Sequence, residues 1–333
     1  MKKILFLLFL SAIGLFGCGN KKSQKISFNR TLFGTHITIT VYEEDIKKAE
    51  KAIEAAFNEI ERIDNKFNTK KTGSIIDQIN SSKGKKIKLD SEGKKIFSKV
   101  KELYEVSNKK YDITISPLME AWGFTTYASE KRIPSKEEID RALSKIDYSK
   151  VSIKDDYLLF EKPVEQIDTG SFLKGYAISR AKFIMEEMGI NSALITSISS
   201  IETIGTKPGS KKWRISLQNP SNPNDSSKNL AIVNLDDKAM GVSGDYQTFV
   251  EIDGKRYHHI LDVKTGYPVS DKKMVVVICE DAFTADMLST AFFSMPIKEI
   301  LKYVEDKKNV DVFIVDADSK ITTSTGFNYF LKK

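Results

Sequence analysis

The chain has 333 residues, a formal charge of +7, 41% hydrophobic and 29% charged residues, two cysteines and three histidines. That length allows one large domain or two modest ones, and the cysteine count excludes a disulfide-stapled scaffold. The charge does not mark a nucleic-acid binder: five lysines and no acid precede residue 26, leaving 47 of the 52 basic residues to face all 45 acids from Ile26 onward.

The chain begins "MKKILFLLFLSAIGLFGCGN". Two lysines precede an apolar run from Ile4 to Phe16 that is short for a membrane-spanning helix, and small residues and a cysteine follow; residues 1–17 read as a secretion signal. Cys18, in "LFGC", fits the bacterial lipoprotein box, in which the thiol is diacylated and becomes the new N-terminus. An ordinary cleaved signal with an incidental cysteine is the alternative. Two acyl chains anchor a protein stably, at about 0.8 kcal/mol per buried methylene. Residues 18–25 would then be the lipidated cysteine and a short polar tether, and the expected location is the bacterial cell envelope, anchored by lipid to a membrane on its extracytoplasmic side.

"HITITVY" alternates as a half-buried strand does. In "DIKKAEKAIEAAFNEIERIDNKF", Ala49, Ile53, Ala56, Ile60, Ile63 and Phe67 recur at steps of three and four, which predicts an amphipathic helix. A second helix starts at Ser91, with Ile96, Val100, Leu103 and Tyr104 as its buried stripe. "KYDITISPLMEAWGF" reads as a short strand running into Pro117 and an aromatic turn. "IDTGSFLKGYAISRAKFIMEEMG" is a glycine-containing loop entering a helix that stops near Gly189. Strand-like segments then dominate: "SALITS", "WRISLQ", "LAIVNL", "TFVEID", "YHHILDV", "MVVVICE" and "VDVFIVDA", interrupted by one helix, "FTADMLSTAFFSM". Cys279, in the apolar run "MVVVICED", reads as a core residue. Strands that follow one another without helices between them predict an α+β fold, with a large antiparallel or mixed sheet and flanking helices, over residues 26–333.

Three segments carry candidate chemistry. In a helix, Asp286 and Thr290 project a carboxylate and a hydroxyl from one face, hard oxygens suited to Mg2+ beside a phosphate; a first-turn acid facing solvent is the plain alternative. "GSFLKGYA" sets Lys174 between glycines at a helix start, where backbone amides and a cation meet an anion, though it matches neither the Walker loop nor the dinucleotide fingerprint. "GVSGDYQ" combines Ser243, Asp245 and Tyr246 with two glycines, as a polar hairpin end also would. In "YHHILDV", a regular strand would put His258 and Asp262 on one face and His259 on the other. Two neighbouring histidines facing opposite ways make a poor metal site but leave one histidine with an aspartate for acid–base work.

In their order, "FGT", "DITISPLMEAWGF", "LKGYA", "GVSGDY", "HHILDVKTGYP" and "ADMLSTAFF" resemble the ApbE family, the FAD:protein FMN transferases, over nearly all of residues 26–333. The resemblance implies a two-lobed fold with FAD in the cleft between the lobes. It also implies a Mg2+-dependent cleavage of FAD that attaches FMN through a phosphoester to a threonine or serine of a target protein. Carried over by motif, Asp286, Thr290 and the backbone carbonyl of Ala177 bind Mg2+, and His259 and Asp262 stand at the catalytic end, where Asp262, oriented by a histidine, would take the proton of the acceptor hydroxyl. Phe33, Gly34, Thr35, the turn around Trp122, Lys174, Gly244, Asp245, Tyr246, His258 and Thr265 line the cofactor. Pairing His259 with Asp262 conflicts with strand parity unless the strand ends or bulges between them. The chain departs from the family at Ser179, where aspartate is common, at Ile198 and Ser199, where a glycine pair is common, and at Val263, where proline is usual. The implied partners are FAD, an extracytoplasmic acceptor protein and a membrane. A flavin-binding carrier and a Mg2+-dependent FAD pyrophosphatase are the competing readings.

Overall fold

The computed structural model describes residues 22–125, 132–164 and 166–331; the signal segment and Cys18 lie outside them. Eight strands form one sheet whose spatial order is the chain order. They are β1 (Gln24–Leu32), β2 (Thr35–Glu43), β3 (Ala193–Thr196), β4 (Ser200–Ile204), β5 (Ala239–Gly244), β6 (Lys272–Cys279), β7 (Asp311–Asp316) and β8 (Ile321–Thr323). Every neighbouring pair is antiparallel. The result is the α+β class expected from strands without intervening helices.

Both faces of the sheet are covered, and strand periodicity shows how. Along β6, Val275, Val277 and Cys279 enter the larger core, while Met274, Val276 and Ile278 enter a second one behind the sheet. The larger core lies under three helices, α1 (Ile46–Phe67), α2 (Leu173–Glu187) and α3 (Ala282–Ser294), with α2 packed against both α1 and α3. Asp45 caps α1 by accepting the Lys48 N–H at 3.1 Å. The stripe Ala49, Ile53, Ala56, Ile60, Ile63 and Phe67 is buried as its spacing predicts. The second core is closed by the hairpin Trp213–Leu217 and Ala231–Leu235. A third, smaller cluster of Leu118, Trp122, Ile139, Ala142 and Leu261 forms beside the main body around the helices Ser116–Ala121 and Lys136–Leu143.

Register gives the sheet two distinct ends. Gln24, Glu43, Ala193, Ile204, Ala239 and Cys279 lie at one; the Phe33–Gly34 turn, Ser200 and Gly244 lie at the other. Phe33 and Gly34 join β1 to β2 with φ of +53° and +71°, the two-residue turn whose twist matches the flanking strands.

Three local expectations are corrected. β1 begins at Gln24, so Gln24 and Lys25 of the expected tether belong to the sheet. "DITIS" is not a strand: Asp112 accepts the Thr114 N–H at 2.8 Å and its hydroxyl at 2.6 Å, and this cap starts a 3-10 turn that runs into the Ser116–Ala121 helix. The strand expected in "YHHILDV" stops at His258, which ends the parity argument at that residue.

Candidate functional site

A cleft of roughly 720 Å³ opens at the sheet end that carries Phe33, Ser199 and Ser243, with the third cluster as its opposite wall. Of the residues singled out by sequence, Phe33, Lys174, Ser199, Ser243, His259, Asp286 and Thr290 line it.

One wall is α3, held by close main-chain approach. Gly175 in α2 donates its N–H to Asp286 Oδ2 at 3.0 Å. A Cβ on Gly175 would come within 2.2 Å of the Ala282 carbonyl, and one on Gly241 in β5 within 2.3 Å of the Ala285 carbonyl. Both contacts are too close for any side chain. The glycine of "LKGYA" therefore serves helix packing and, through its N–H, the orientation of the Asp286 carboxylate. One helical turn on, the Thr290 hydroxyl lies 3.2 Å from Ser243 Oγ, which lies 2.9 Å from Ser289 Oγ. Burial pushes the Asp286 carboxyl above its ordinary range, against the Lys174 charge and the Gly175 N–H. A desolvated carboxylate at the cleft edge gains from a cation. Its neighbours are hydroxyls, and no three His, Cys, Asp or Glu side chains converge among the described residues. A single carboxylate with hydroxyl donors fits Mg2+ shared with a substrate phosphate, since that ion keeps several ligands from water and phosphate. Ala177, expected to offer its carbonyl to the metal, is instead fully buried inside α2 and does not line the cleft, its carbonyl belonging to the helix ladder.

The other wall carries the histidines, and the structure separates their roles. His258 Nε2 lies 2.7 Å from the Val269 carbonyl, and its Nδ1 accepts the Ile260 N–H at 3.2 Å. Both ring nitrogens are occupied, the ring packs edge-on to Phe293, and burial pushes its pKa down to about 4. His258 is thus a neutral core histidine. His259 lies 3.1 Å from the Thr248 carbonyl through Nδ1, which must therefore be the protonated nitrogen. That tautomer leaves the Nε2 lone pair available on a residue that lines the cleft. Desolvation pushes its pKa down to about 4, so it is neutral near pH 7 and able to accept a proton.

Asp262 makes no hydrogen bond to either histidine and does not line the cleft. Its Oδ1 accepts the backbone N–H of Lys264 at 2.7 Å and of Thr265 at 3.2 Å, which makes it the first residue of a tight turn. Thr265 belongs to that turn and is exposed. Trp122 is buried, donates its indole N–H to the Gly266 carbonyl at 2.8 Å, and packs against Phe124, Tyr257 and Tyr267; Gly123 and Phe124 of the same turn reach the cleft. Gly244 lets the Tyr246 ring fold back, since a Cβ there would lie 2.5 Å from it, and Tyr246 packs on the second core. Asp245 is desolvated, with one carboxylate oxygen lacking a hydrogen bond and its pKa raised to about 6. Gly34 and Thr35 sit in and after the Phe33 turn, outside the cleft lining.

The departures in sequence have structural answers. Neither Ile198 nor Ser199 has positive φ, so this turn between β3 and β4 does not require glycine. Ile198 is 66% exposed, and Ser199 adds a hydroxyl to the cleft. Ser179 donates to the buried Glu202 at 2.7 Å and accepts the Phe283 N–H at 3.1 Å, while Glu202 accepts the Ala282 N–H at 3.0 Å. Together they satisfy the first amides of α3. Cleft residues that sequence reasoning did not single out include Asp168, Tyr111 and Ser171. The Tyr111 hydroxyl lies 2.8 Å from Ser171 Oγ, and Asp168 accepts the Gly170 N–H at 2.8 Å. The signal for Asp168 and Ser171 was the "DTGS" loop preceding "LKGYA", whereas Tyr111 stands in "KYDITIS".

A sequence model of the ApbE family matches residues 33–314. The FAD:protein FMN transferase of Haemophilus influenzae is 24% identical over 341 residues, covering 98% of this chain and 95% of the relative. That of Vibrio cholerae is 24% identical over 330 residues, covering 97% of each. Among solved structures, the ApbE protein of Thermotoga maritima superposes with a TM-score of 0.85 at 31% identity, over 93% of this chain and 100% of that one.

Proposed function

The chain belongs to the ApbE family, and from that premise we propose that it splits FAD with Mg2+ and attaches the FMN half to a threonine or serine hydroxyl of an extracytoplasmic protein, releasing AMP. The observation that carries the reading is the pairing, across one cleft, of a desolvated Asp286 beside hydroxyl donors with a neutral His259 whose Nε2 is free.

In this reading Asp286 and Thr290 would hold Mg2+. The ion would draw electron density from the pyrophosphate oxygens as charge moves toward the leaving AMP. The chain's own groups do the rest. Lys174, whose ammonium reaches the Gly170 carbonyl at 3.3 Å, adds positive charge beside Asp286 and Asp168. The acceptor oxygen attacks the phosphorus on the FMN side, its bond to the AMP oxygen breaks, and the hydroxyl proton leaves to His259 Nε2. Asp262 shapes the turn that follows the histidines instead of taking that proton. The third cluster closes the cleft's far side against water, which matters because water would divert FMN into solution.

The test is product partition. With FAD, Mg2+ and an acceptor domain bearing a candidate threonine, the full chain should add one FMN mass to the acceptor and release AMP in equal amount. FAD consumed to free FMN and AMP without adduct on any acceptor would make the protein a pyrophosphatase. FAD retained intact would make it a carrier.

A further inference from the structure

The strand that enters the sheet from the tether is also the strand that reaches the cleft. β1 runs from Gln24 to Leu32, and the next residue, Phe33, lines the cleft. At about 3.3 Å per residue the two ends of β1 are about 26 Å apart. Cys18 lies six residues before Gln24, a span of at most about 20 Å. If Cys18 carries the lipid, the Gln24 end of the sheet is therefore the end nearest the membrane.

That end carries a group of lysines. Register sets Lys25 opposite Tyr42, whose ring lies 5.8 Å from Trp213. The Lys207 ammonium sits 5.7 Å over the same indole. Lys207 and Lys211 close a tight turn through reciprocal backbone hydrogen bonds of 2.8 and 3.2 Å. Lys22, Lys25 and Lys211 are exposed. Of the nearby acids, Glu43 pairs with Lys48 at 2.7 Å and Asp236 with Lys212 at 2.9 Å, Asp45 caps α1 and Asp237 accepts the Gly205 N–H at 2.5 Å, while Glu44 is exposed beside the lysines. Among the described residues Lys22, Lys25, Lys207 and Lys211 make no ion pair, so their charge faces outward.

We propose that this lysine-bearing end of the sheet rests on anionic phospholipid headgroups, with the cleft opening at the opposite end about 26 Å farther from the leaflet. The acceptor hydroxyl then belongs to a segment that stands clear of the headgroups, not to one lying among them. The proposal rests on the lipid-anchor reading of Cys18.

The experiment uses the full-length lipidated chain in vesicles of phosphatidylcholine and phosphatidylglycerol, with a fluorophore on Lys211→Cys or on Thr31→Cys; Cys279 is buried and does not compete. Lipids carrying a headgroup nitroxide serve as quencher. The expected result is strong quenching at position 211, little at position 31, and a fall at 211 when salt is raised or phosphatidylglycerol omitted. Equal or stronger quenching at position 31, or none at either, would overturn the orientation while leaving the anchor intact. A Cys18→Ser variant separates the premise: should it float with vesicles as well as the parent chain does, the lipid anchor is wrong and the proposal falls with it.

Discussion

The two walls of the cleft are built by different means. Asp286 is placed by backbone: two glycines, Gly175 and Gly241, let α3 approach α2 and β5 more closely than any side chain allows, and one peptide N–H aims the carboxylate. His259 is placed by two hydrogen bonds to the Thr248 carbonyl at the end of a short hairpin, from its backbone N–H at 3.0 Å and its ring Nδ1 at 3.1 Å, with its ring edge-on to Phe124. The first arrangement fixes position sterically. The second fixes a tautomer. For the proposed reaction, a wall that is to hold Mg2+ would have to resist displacement, whereas a base would need its lone pair directed and its proton accounted for.

That contrast can be broken first at Asp286. Asp286→Ala should lower flavin transfer by about 10³-fold or more, as expected when a group that binds a catalytic ion is removed, read as adduct formed per minute at saturating FAD. Gly175→Ala should destabilise the fold by about 3 kcal/mol or more, because its new methyl meets backbone that cannot move aside; the denaturant midpoint measures it, and a change below about 1 kcal/mol would show that α2 and α3 are not locked as described. On the other wall, His259→Gln should cost about 10²-fold in turnover with little change in midpoint. The wild-type rate should stay level from about pH 8 down to about 5 and fall only toward 4, because His259 protonates near 4 in place of its ordinary value. A falling limb centred near 6.5 would mean that the ring is not desolvated. The smallest effect is expected at Trp122→Phe: losing the indole N–H to Gly266 should cost about 1–2 kcal/mol of stability, with turnover per folded molecule unchanged.

The sequence carried these walls unequally. The helix with Asp286 and Thr290 was legible because its spacing sets two side chains on one face, and the long stripe from Ala49 to Phe67 fixed α1 in the same way. The histidine wall was obscured by the assumption that "YHHILDV" is one strand. The strand ends at His258, whose ring nitrogens meet the Ile260 N–H and the Val269 carbonyl, and the next residue, His259, lines the cleft. Trp122 was placed on the nucleotide by motif, but its N–H is committed to Gly266 inside the third cluster. β1 was missed because only its pairing with β2 makes "QKISFNRTL" a strand; most of its side chains are exposed and show little alternation. In "DITIS" the three central residues, Ile113, Thr114 and Ile115, favour a strand, and the buried Asp112 overrides them by capping a 3-10 turn.

The division of labour between the walls is most directly tested by titrating Mg2+ in single-turnover transfer with the wild type, Asp286→Asn and His259→Gln. The account predicts that Asp286→Asn raises the half-saturating Mg2+ concentration about tenfold or more, while His259→Gln leaves it in place and lowers the plateau. Equal shifts in both variants, or a lowered plateau without a shift for Asp286→Asn, would contradict it.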